Sequence, residues 1–404
     1  MFAVLLAVLT LDEAVARALE QNPQQQVALA TAAAADEQAL IARASRWPVV
    51  TADARVARWQ SKAFLPKQLL SRIPERIDVI GPTNDVSAGV DVRYTLWDSG
   101  RRDAEIDAAQ CGANAARAEV STTRAQLAFA VHEAYFRLLA SNAALEAARA
   151  RLTRAEEHVR IAGIRKSAGA SPQMDVVRAR VEVARAKADV ASAQADASVA
   201  RGALNTLLGQ SPDTDIDVAP ATLAAEEATI ERPEIAAQRE RVAAQKRLVS
   251  ATKSASGPRV GVQGAYGLRD DEWIADDQEW SIGVGVELDL FDRGRKHRVA
   301  RANQELAREE ARLQQLQASV DQEVWSARAN VREVRAAVEA TVAAVTEAQE
   351  ALRLARARYD AGAGTINDLL DAEAALTQAE ALRIGTVYQE QIALSALKKA
   401  SGRL

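Results

Sequence analysis

One segment of the chain occurs twice, and this duplication limits the possible folds more than any other feature. Residues 86–102 read VSAGVDVRYTLWDSGRR, and residues 280–296, 194 positions later, read WSIGVGVELDLFDRGRK. In both copies every second residue is apolar over eleven positions, whereas the residues between them are small or polar. Such alternation predicts a β-strand with one apolar face and one polar face.

Each predicted strand ends at a short Asp-x-Gly-Arg segment, after which a long helical pattern begins. Asp is a frequent N-cap residue, and Gly permits the sharp turn that a strand-to-helix junction needs. We therefore interpret these residues as a structural junction and not as chemical groups. They are Asp98, Gly100 and Arg101 in the first copy and Asp292, Gly294 and Arg295 in the second.

Proline-free segments of unusual length follow both junctions. Residues 100–167 and 294–360 are rich in Ala, Arg, Glu and Leu. A helix of roughly 65 residues would be ~100 Å long, and it has to pack against other helices because isolated helices are marginally stable. A reversal rich in small residues follows each segment, so we predict two long helical hairpins. At the first reversal we expect Ser171 to cap the returning helix and Pro172 to be its first residue.

The predicted organisation is two structural repeats joined by a linker. An apolar stretch at 1–10 precedes the first repeat at 11–209, the linker occupies 210–231, and the second repeat occupies 232–404. Each repeat is expected to contain an initial helix, a β-hairpin and a helical hairpin. The β-hairpins lie at 49–96 and 259–290, with strands at 49–59, 86–96, 259–268 and 280–290 and loops between them, and the helical hairpins lie at 100–208 and 294–400.

The apolar stretch MFAVLLAVLT at 1–10 is far too short to span a bilayer. It resembles the end of a secretory signal peptide. The alternative is an apolar lead-in to the first helix, for which Thr10-Leu11-Asp12-Glu13 predicts an N-terminal cap and Asn22-Pro23 a break. Elsewhere the sequence has no run of 18 apolar residues, so we expect any membrane crossing to use strands.

Composition excludes several classes of protein. Charged residues make up 26% and aromatic residues 4%, which suits long helices better than globular cores. The net charge of −4 and the scattered basic residues indicate no nucleic-acid partner. Cys111 is the single cysteine and the three histidines are dispersed, so we expect no disulfide framework, no metal site and no cofactor. We find no constellation of residues typical of an enzyme.

The predicted strands are long enough to cross a bilayer when tilted. Four strands cannot close on themselves, and open edges in lipid leave unpaired backbone groups. Three chains would supply a twelve-stranded β-barrel, which the helical hairpins would extend as an α-barrel. The expected fold class is thus mainly α with transmembrane β, with long α-helical hairpins forming an α-barrel and four β-strands per protomer. A hollow tube of this kind predicts transport.

Aromatic residues lie near both ends of the predicted strands, as in the interfacial girdles of membrane barrels. The alternative is that they are core residues of a soluble hairpin. The residues at the helix-facing end are Trp47, Trp97 and Phe291, and those at the opposite end are Trp59 and Trp273.

Over residues 10–402 the chain resembles the TolC-like outer-membrane efflux protein family. The matching features are the opening LDEAV at 11–15 with Asn22-Pro23, the two strand exits, and the hairpin tip YDAGAGTINDLLDA at 359–372. The resemblance implies a homotrimeric channel in the outer membrane of a Gram-negative bacterium, with a helical tunnel in the periplasm. It also implies docking to a periplasmic adaptor (membrane fusion) protein and to an inner-membrane pump of the RND, ABC or a similar type, in a tripartite efflux pump or a type I secretion system.

Asp368 and Asp371 are candidate gate residues. They are one helical turn apart, so both can lie on the same side of a helix. Threefold symmetry would turn them into two carboxylate rings that attract cations and repel one another when the tunnel closes. By resemblance they match acidic positions at the periplasmic entrance of the family. The alternative for Asp368 is a capping box with Thr365.

By resemblance, Tyr359 and Asp175 match positions that latch neighbouring hairpins, although a surface Tyr and a first-turn Asp are common in any helical protein. Where relatives can carry a basic gate residue, this chain has Gly364. The tips at which an adaptor would dock contain Gly169, Ser171, Gly362 and Gly364.

A competing hypothesis is a periplasmic coiled-coil adaptor or scaffold protein, which also uses long helical hairpins. Such a protein is expected to have one hairpin and soluble β-domains. The duplicated strands beside two hairpins favour the channel.

Overall fold

The structure is a computed structural model that describes residues 8–62, 79–169, 171–224, 232–270 and 277–404. In these residues it is mainly helical with four β-strands, which confirms the predicted fold class. In chain order the elements are α1 (Leu11–Gln21), α2 (Pro23–Ala44), β1 (Val49–Lys62), β2 (Val79–Trp97), α3 (Arg101–Ser167), α4 (Gln173–Leu207), α5 (Pro233–Ser254), β3 (Arg259–Asp270), β4 (Asp277–Glu287), α6 (Arg295–Asp360) and α7 (Ile366–Ala400).

The described residues fall into two compact units, and each unit takes segments from both halves of the sequence. The helical unit lies within Met1–Ala33, Ala115–Gln238 and Leu313–Leu404. The sheet unit lies within Ala34–Asn114 and Arg239–Arg312. Every described helix is too short or too polar to span a bilayer.

The sheet unit contains one antiparallel sheet in the order β1-β2-β3-β4. Its register aligns Ala52 with Val90, Val90 with Tyr266, and Tyr266 with Trp280. Residues directly opposite one another share a face, so this row forms part of an apolar face. Val90, Tyr266 and Trp280 are all exposed in the single chain. The predicted alternation therefore gives an apolar surface that the chain itself does not cover.

The first β-hairpin has longer strands than the sequence indicated. β1 continues to Lys62 and β2 begins at Val79, so the prediction of a loop over 60–85 was wrong at both ends. Residues 63–78 lie outside the described residues. Pro82 favoured a loop in the sequence because proline disrupts strand pairing. β2 can contain it because β3 pairs with β2 only from Val86 onward, so no residue of β3 lies opposite Pro82. The register with β1 is also irregular beside Pro82, and proline is tolerated at such one-sided, irregular positions.

The second β-hairpin also differs from the prediction. β4 spans Asp277–Glu287 and not 280–290, and β3 extends to Asp270. The last pair of the hairpin joins Arg259 to Glu287, because β3 begins at Arg259, directly after Pro258. Residues 288–290 consequently have no strand opposite them within the described chain. The rest of the predicted acidic loop, 271–276, lies outside the described residues.

Three of the five predicted girdle residues can be located. Trp47, Trp97 and Phe291 are exposed, so the alternative that these three are core residues of a soluble hairpin is wrong. Trp273 and the side chain of Trp59 lie outside what the structure describes.

The helical unit has its largest buried cluster around Tyr135 and Phe136 of α3 and Leu204 of α4. The Tyr135 hydroxyl lies 2.8 Å from the Leu9 carbonyl oxygen and 2.7 Å from that of Ala219. Leu9 is buried there and pairs with Val218 of the linker in a parallel bridge. Leu9, near the end of the apolar stretch 1–10, therefore belongs to the core of the helical unit. Residues 1–7 lie outside the described residues.

The start of the first repeat agrees with the sequence signals. Thr10 and Glu13 form the predicted capping box of α1. α1 ends at Gln21 and α2 begins at Pro23, which confirms the break. The Asn22 side chain bridges the break, because its Oδ1 accepts from Gln24 N at 2.8 Å and its Nδ2 donates to Leu207 O at 3.0 Å.

The two helical hairpins have nearly the same dimensions. α3 and α6 contain 67 and 66 residues, and α4 and α7 contain 35 residues each. Gly169 and Gly362 in the reversals have φ values of +71° and +75°, which glycine adopts at little cost. The expected cap at Ser171 was wrong. Pro172 is itself the N-cap and makes no side-chain cap hydrogen bond, and the Ser171 hydroxyl has no partner among the described residues.

Replacing Gly209 with Ala should destabilise the helical unit by about 1 to 3 kcal/mol. Gly209 has φ +71°, and a Cβ there would lie 3.0 Å from the Gln21 carbonyl oxygen. The matched control is Gly163→Ala within the part of α3 that belongs to the helical unit, where a Cβ meets nothing within 4 Å; it should stabilise by up to about 1 kcal/mol. Denaturant unfolding in detergent measures both, and equal effects of the two substitutions would contradict the assignment.

His132 should make the helical unit sensitive to acid. Its Nδ1 lies 2.9 Å from Ser395 Oγ, and burial, with a smaller contribution from Lys398, lowers the pKa of His132 to about 4. Because the unfolded chain binds a proton near pH 6.5 and the folded one does not, stability should fall by about 2 to 3 kcal/mol as the pH drops from 6.5 to 4. His132→Gln should remove this dependence, whereas Ser395→Ala should lower stability and retain it. An unaltered pH profile in His132→Gln would refute the prediction.

Candidate functional site at the ends of the helical hairpins

The second hairpin turns through a closed loop at the C-terminus of α6. Gly362 N donates to Tyr359 O at 3.0 Å, and the amides of Ala363 and Gly364 donate to Arg358 O at 2.9 and 3.0 Å. A Cβ at Gly364 would lie 3.1 Å from Arg358 Cβ and 3.2 Å from Tyr359 N. A side chain at position 364, including a basic one, would therefore crowd the end of α6 and require these atoms to move by a few tenths of an ångström. The turn geometry thus explains why Gly364 occupies this position.

Thr365 and Asp368 form the capping box of α7. Thr365 Oγ1 accepts from Asp368 N at 3.2 Å, and Asp368 Oδ2 accepts from Thr365 N at 3.0 Å. The hydrogen bond from the Thr365 backbone, followed by that from its side chain, lowers the pKa of Asp368. The capping role is therefore confirmed, and the exposed carboxylate remains charged at neutral pH. Asp371, one turn further along, is also exposed.

Tyr359 is 6% exposed and packs against Ile366 and Leu369. Its hydroxyl is buried without a hydrogen-bond partner among the described residues. Asp175, in the first turn of α4, is half-buried. The structure of the single chain therefore does not bring Tyr359 and Asp175 into the hydrogen bond that the family resemblance implies.

Arg165, in the last turn of α3, contacts Tyr359 instead. Its guanidinium carbon lies 4.4 Å from the centre of the Tyr359 ring. Arg165 Nη1 donates to Tyr359 O at 2.8 Å, and Nη2 lies 3.4 Å from Asp360 O. A cation at a helix C-terminus satisfies free carbonyl groups and interacts favourably with the helix dipole, and the ring adds a cation–π interaction. Arg165 thus joins the end of the first hairpin to the end of the second.

A second contact joins the returning helices of the two hairpins. Arg178 Nη1 of α4 donates to Asn367 Oδ1 of α7 at 2.9 Å. In contrast, a Cβ at Gly169 or Gly362 would meet nothing within 4 Å, and both glycines are exposed. The hairpins are therefore bound to one another near their tips, while Gly169 and Gly362 in the reversals are open to solvent.

A charged cluster connects α3 to α7 about two to four turns from the tip. Arg154 pairs with Glu373 at 3.3 Å and with Glu380 at 3.6 Å, and His158 Nε2 lies 3.1 Å from Glu373 Oε1. Burial alone would raise the pKa of Glu373, but the hydrogen bond from His158 and the charge of Arg154 outweigh burial and lower it. The cluster is an ion-pair network, and among the described residues no group of His, Cys, Asp and Glu could hold a metal ion.

The sequence did not identify Arg165, Arg154 or His158 as site residues. Arg165 and Tyr359 are 194 positions apart, so no local pattern connects them. The one available signal was the duplication, because it implies that two hairpins of equal length end at the same level.

The junction residues are placed as capping and turn residues. Asp98 Oδ2 accepts from Arg102 N at 3.0 Å, and Asp292 Oδ1 accepts from Gly294 N at 2.8 Å. Gly100 has φ +82°, as a sharp turn requires. Gly294 has no positive φ; instead, a Cβ there would lie 2.9 Å from Arg298 Nη1. Of the two junction arginines, Arg101 pairs with Glu105, and the Arg295 amide donates to Asp292 O.

The chain is similar to known proteins in both sequence and fold. The family model described as Outer membrane efflux protein matches residues 14–210 and 224–403. Protein CyaE of Bordetella pertussis is 28% identical over 342 residues, which cover 80% of this chain and 72% of that protein. The family and the fold are those of channel proteins.

Two solved structures illustrate the likeness of fold. A membrane protein of Pseudomonas aeruginosa matches with a TM-score of 0.84 and 26% identity, covering 97% of this chain and 93% of that one. The CmeC outer membrane channel of Campylobacter jejuni matches with a TM-score of 0.84 and 19% identity, covering 97% of this chain and 85% of that one.

Replacing Arg165 with Ala should loosen the tip without unfolding the hairpins. Loss of its hydrogen bonds to carbonyl groups and of its contact with the Tyr359 ring should speed amide exchange at positions 362–364 by about tenfold or more. The matched control is Arg160→Ala, since Arg160 is exposed and, within the part of the chain that the structure describes, pairs with Glu157 of its own helix alone. Hydrogen exchange read by mass spectrometry measures both variants, and equal exchange in the two would remove Arg165 from the tip contact.

Proposed function

The chain belongs to the outer membrane efflux protein family, and we propose that three copies assemble into one continuous conduit from the periplasm to the exterior. A member of this family is an outer-membrane channel of an efflux or secretion system in a Gram-negative bacterium, with a helical tunnel in the periplasm. The proposal concerns how this chain builds and closes such a channel.

The open sheet is the observation that carries the proposal. β1 and β4 are the edges of the sheet, and in the described chain neither has a partner on its outer side. The edge strands also carry exposed apolar residues, which suit contact with lipid: Val50 and Val56 on β1, and Ile282, Val284 and Val286 on β4. Unpaired backbone groups in lipid cost several kcal/mol each, so the edges have to pair with other copies. Three copies would close a twelve-stranded sheet, within the range of outer-membrane channels.

The channel is favoured over a periplasmic adaptor by the same features. An adaptor would use one helical hairpin and soluble β-domains, whereas this chain has two hairpins and a sheet with an uncovered apolar face. The family match over both halves of the chain supports the same choice.

Asp368 and Asp371 are the proposed charge rings at the periplasmic end of the conduit. Both are exposed at the start of α7, and Asp368 is held in place by its bond to Thr365. In a trimer each position would supply three carboxylates, which attract cations into the entrance and repel one another as it narrows. Tyr359 and Asp175 do not bond to each other within the described chain, so the proposed latch between them would join neighbouring copies and would require the buried Tyr359 hydroxyl to become accessible.

The reversals at the tips are the proposed docking site for a periplasmic adaptor, which would connect the conduit to an inner-membrane pump of the RND or ABC type. Gly169 and Gly362 lie in open space, which would admit a partner close to the backbone. The Ser171 hydroxyl is buried and has no hydrogen-bond partner among the described residues, and Gly364 closes the second turn. Substrates of such a conduit would be small molecules, ions or proteins that cross without chemical change.

The experiment combines assembly with conductance. The full-length protein should be found as a trimer in the outer-membrane fraction and should conduct ions in a planar bilayer. A soluble monomer would rule out the proposal.

Asp371→Asn should weaken block of the channel by divalent cations by about tenfold, because it removes three carboxylates from the entrance. Asp368→Asn should act in the same direction and keep the cap, since its amide oxygen can still accept from Thr365 N. The control, Asp321→Asn on α6, removes an equal charge far from the tip and should leave block unaltered. Identical block constants in the parent and in Asp371→Asn would exclude Asp371 from the gate.

A further inference from the structure

The two helical hairpins are equivalent by a single numerical offset near their tips. Gly169 corresponds to Gly362, and α4 and α7 both contain 35 residues and start and end 193 positions apart. The same offset applied to α3 gives the equivalent positions in the tip half of α6. Adding 193 to a position in the first hairpin, or subtracting 193 from a position in the second, gives the equivalent position in the other hairpin. The positions that meet between the two hairpins of one chain thus define equivalent positions on the opposite sides of both hairpins.

Within one chain, one of the contacts between the hairpins joins α3 to α7. Arg154 of α3 pairs with Glu373 and Glu380 of α7. Nearer the tip, Ile161 of α3 and Leu370 of α7 pack against the same buried cluster. This face thus combines one basic residue opposite two acidic residues with an apolar contact.

The transferred contact lies between α6 of one copy and α4 of another. The offset of 193 takes Arg154 to Glu347, Glu373 to Arg180, and Glu380 to Lys187. Both sides change sign, so one acidic residue now lies opposite two basic residues and the attraction is kept. Random divergence of the two repeats would not reverse both partners together. The charge complementarity therefore identifies a second copy of this chain as the occupant.

The three charged residues of the transferred contact are accessible in the single chain. Glu347, Arg180 and Lys187 are exposed, and none makes an ion pair within the described part of the chain. The apolar contact is also transferred, because Ile161 corresponds to Leu354 and Leu370 to Val177. Leu354 is 49% exposed and Val177 45% exposed, whereas their equivalents are packed. The outer faces of α4 and α6 are thus complementary in charge and apolar character and have no partner.

We propose that Glu347 and Leu354 of α6 in one copy bind Arg180, Lys187 and Val177 of α4 in the next copy, in the same arrangement that joins the two hairpins of one chain. This inference rests on the proposed assembly of three copies and assigns the residues of its helical interface. The contact is between two different surfaces, so repetition around a threefold axis gives a closed ring.

The first test is chemical crosslinking in the outer membrane, in full-length protein with Cys111→Ser. The pair Glu347→Cys with Lys187→Cys, treated with a short bismaleimide, should give covalent dimers and trimers. The control pair joins Glu347→Cys to Arg185→Cys. Arg185 is exposed and, among the described residues, pairs with Glu182 of its own helix, but it lies roughly half a turn around the helix from Lys187. Equal crosslinking of both pairs would overturn the assignment.

The second test is charge reversal. Glu347→Arg should lower the association constant of the trimer by about tenfold or more, since it places like charges opposite each other. Combining it with Arg180→Glu and Lys187→Glu should restore assembly, which a variant that is merely misfolded would not do. Arg185→Glu is the control for net charge and should neither weaken the trimer nor rescue Glu347→Arg.

The outcomes separate this inference from the proposed function. A conducting trimer that shows no crosslink between positions 347 and 187, or no rescue by the reversed charges, overturns the interface and leaves the conduit standing. A protein that is monomeric in the outer membrane overturns both.

Discussion

Backbone hydrogen bonds that one chain cannot complete are the constraint on which the structure depends. The sheet has four strands, its edges β1 and β4 lack outer partners in the described chain, and its apolar face is exposed. In water such edges invite aggregation, and in lipid they are prohibitively costly. The strands have the length and pattern of membrane strands, so the proposed pairing with other copies would supply the missing hydrogen bonds and remove both costs at once.

The helical unit is incomplete in a different way. Its largest core is a local cluster around Tyr135, Phe136 and Leu204. Nearer the tip the clusters are small: α6 packs on α7 through Val345, Leu376 and Ala379, and an ion pair between Arg154 and Glu373 joins α3 to α7. Long helices of this composition gain little from any one contact and are stable only when contacts continue along their length. Polar contacts such as Arg165 with the carbonyl groups of α6, and Arg154 with Glu373, then determine how the hairpins are aligned. They fix the register that alanine packing leaves loosely specified.

Features that depend on neighbouring residues were predicted correctly from the sequence, whereas features that depend on a partner distant in the sequence were not. Glycine and proline marked the break at Asn22-Pro23 and the reversal at Gly362, because their backbone preferences act within a few residues. The predicted start of β2 was wrong because proline is acceptable in a strand where a neighbouring strand is missing, and β3 does not reach Pro82. The predicted end of β4 was wrong because β3, the strand opposite it, begins only after Pro258. Arg165 was not identified as a site residue because its partner, Tyr359, is in the other repeat. For Asp368 the sequence left capping and gating open, and the structure establishes the cap.

The reversed charges of the two repeats also determine which contacts between copies are disfavoured. If α4 met α4 of another copy, Arg180 and Lys187 would lie opposite the same basic residues, and a contact between two α6 helices would bring Glu347 to Glu347. Like charges in contact cost several kcal/mol, so both symmetric pairings are penalised. Only the pairing of α4 with α6 brings opposite charges together. Specificity through repulsion of the wrong partner would thus direct identical chains into a head-to-tail ring, which can close, and away from symmetric pairs, which would leave the sheet edges open.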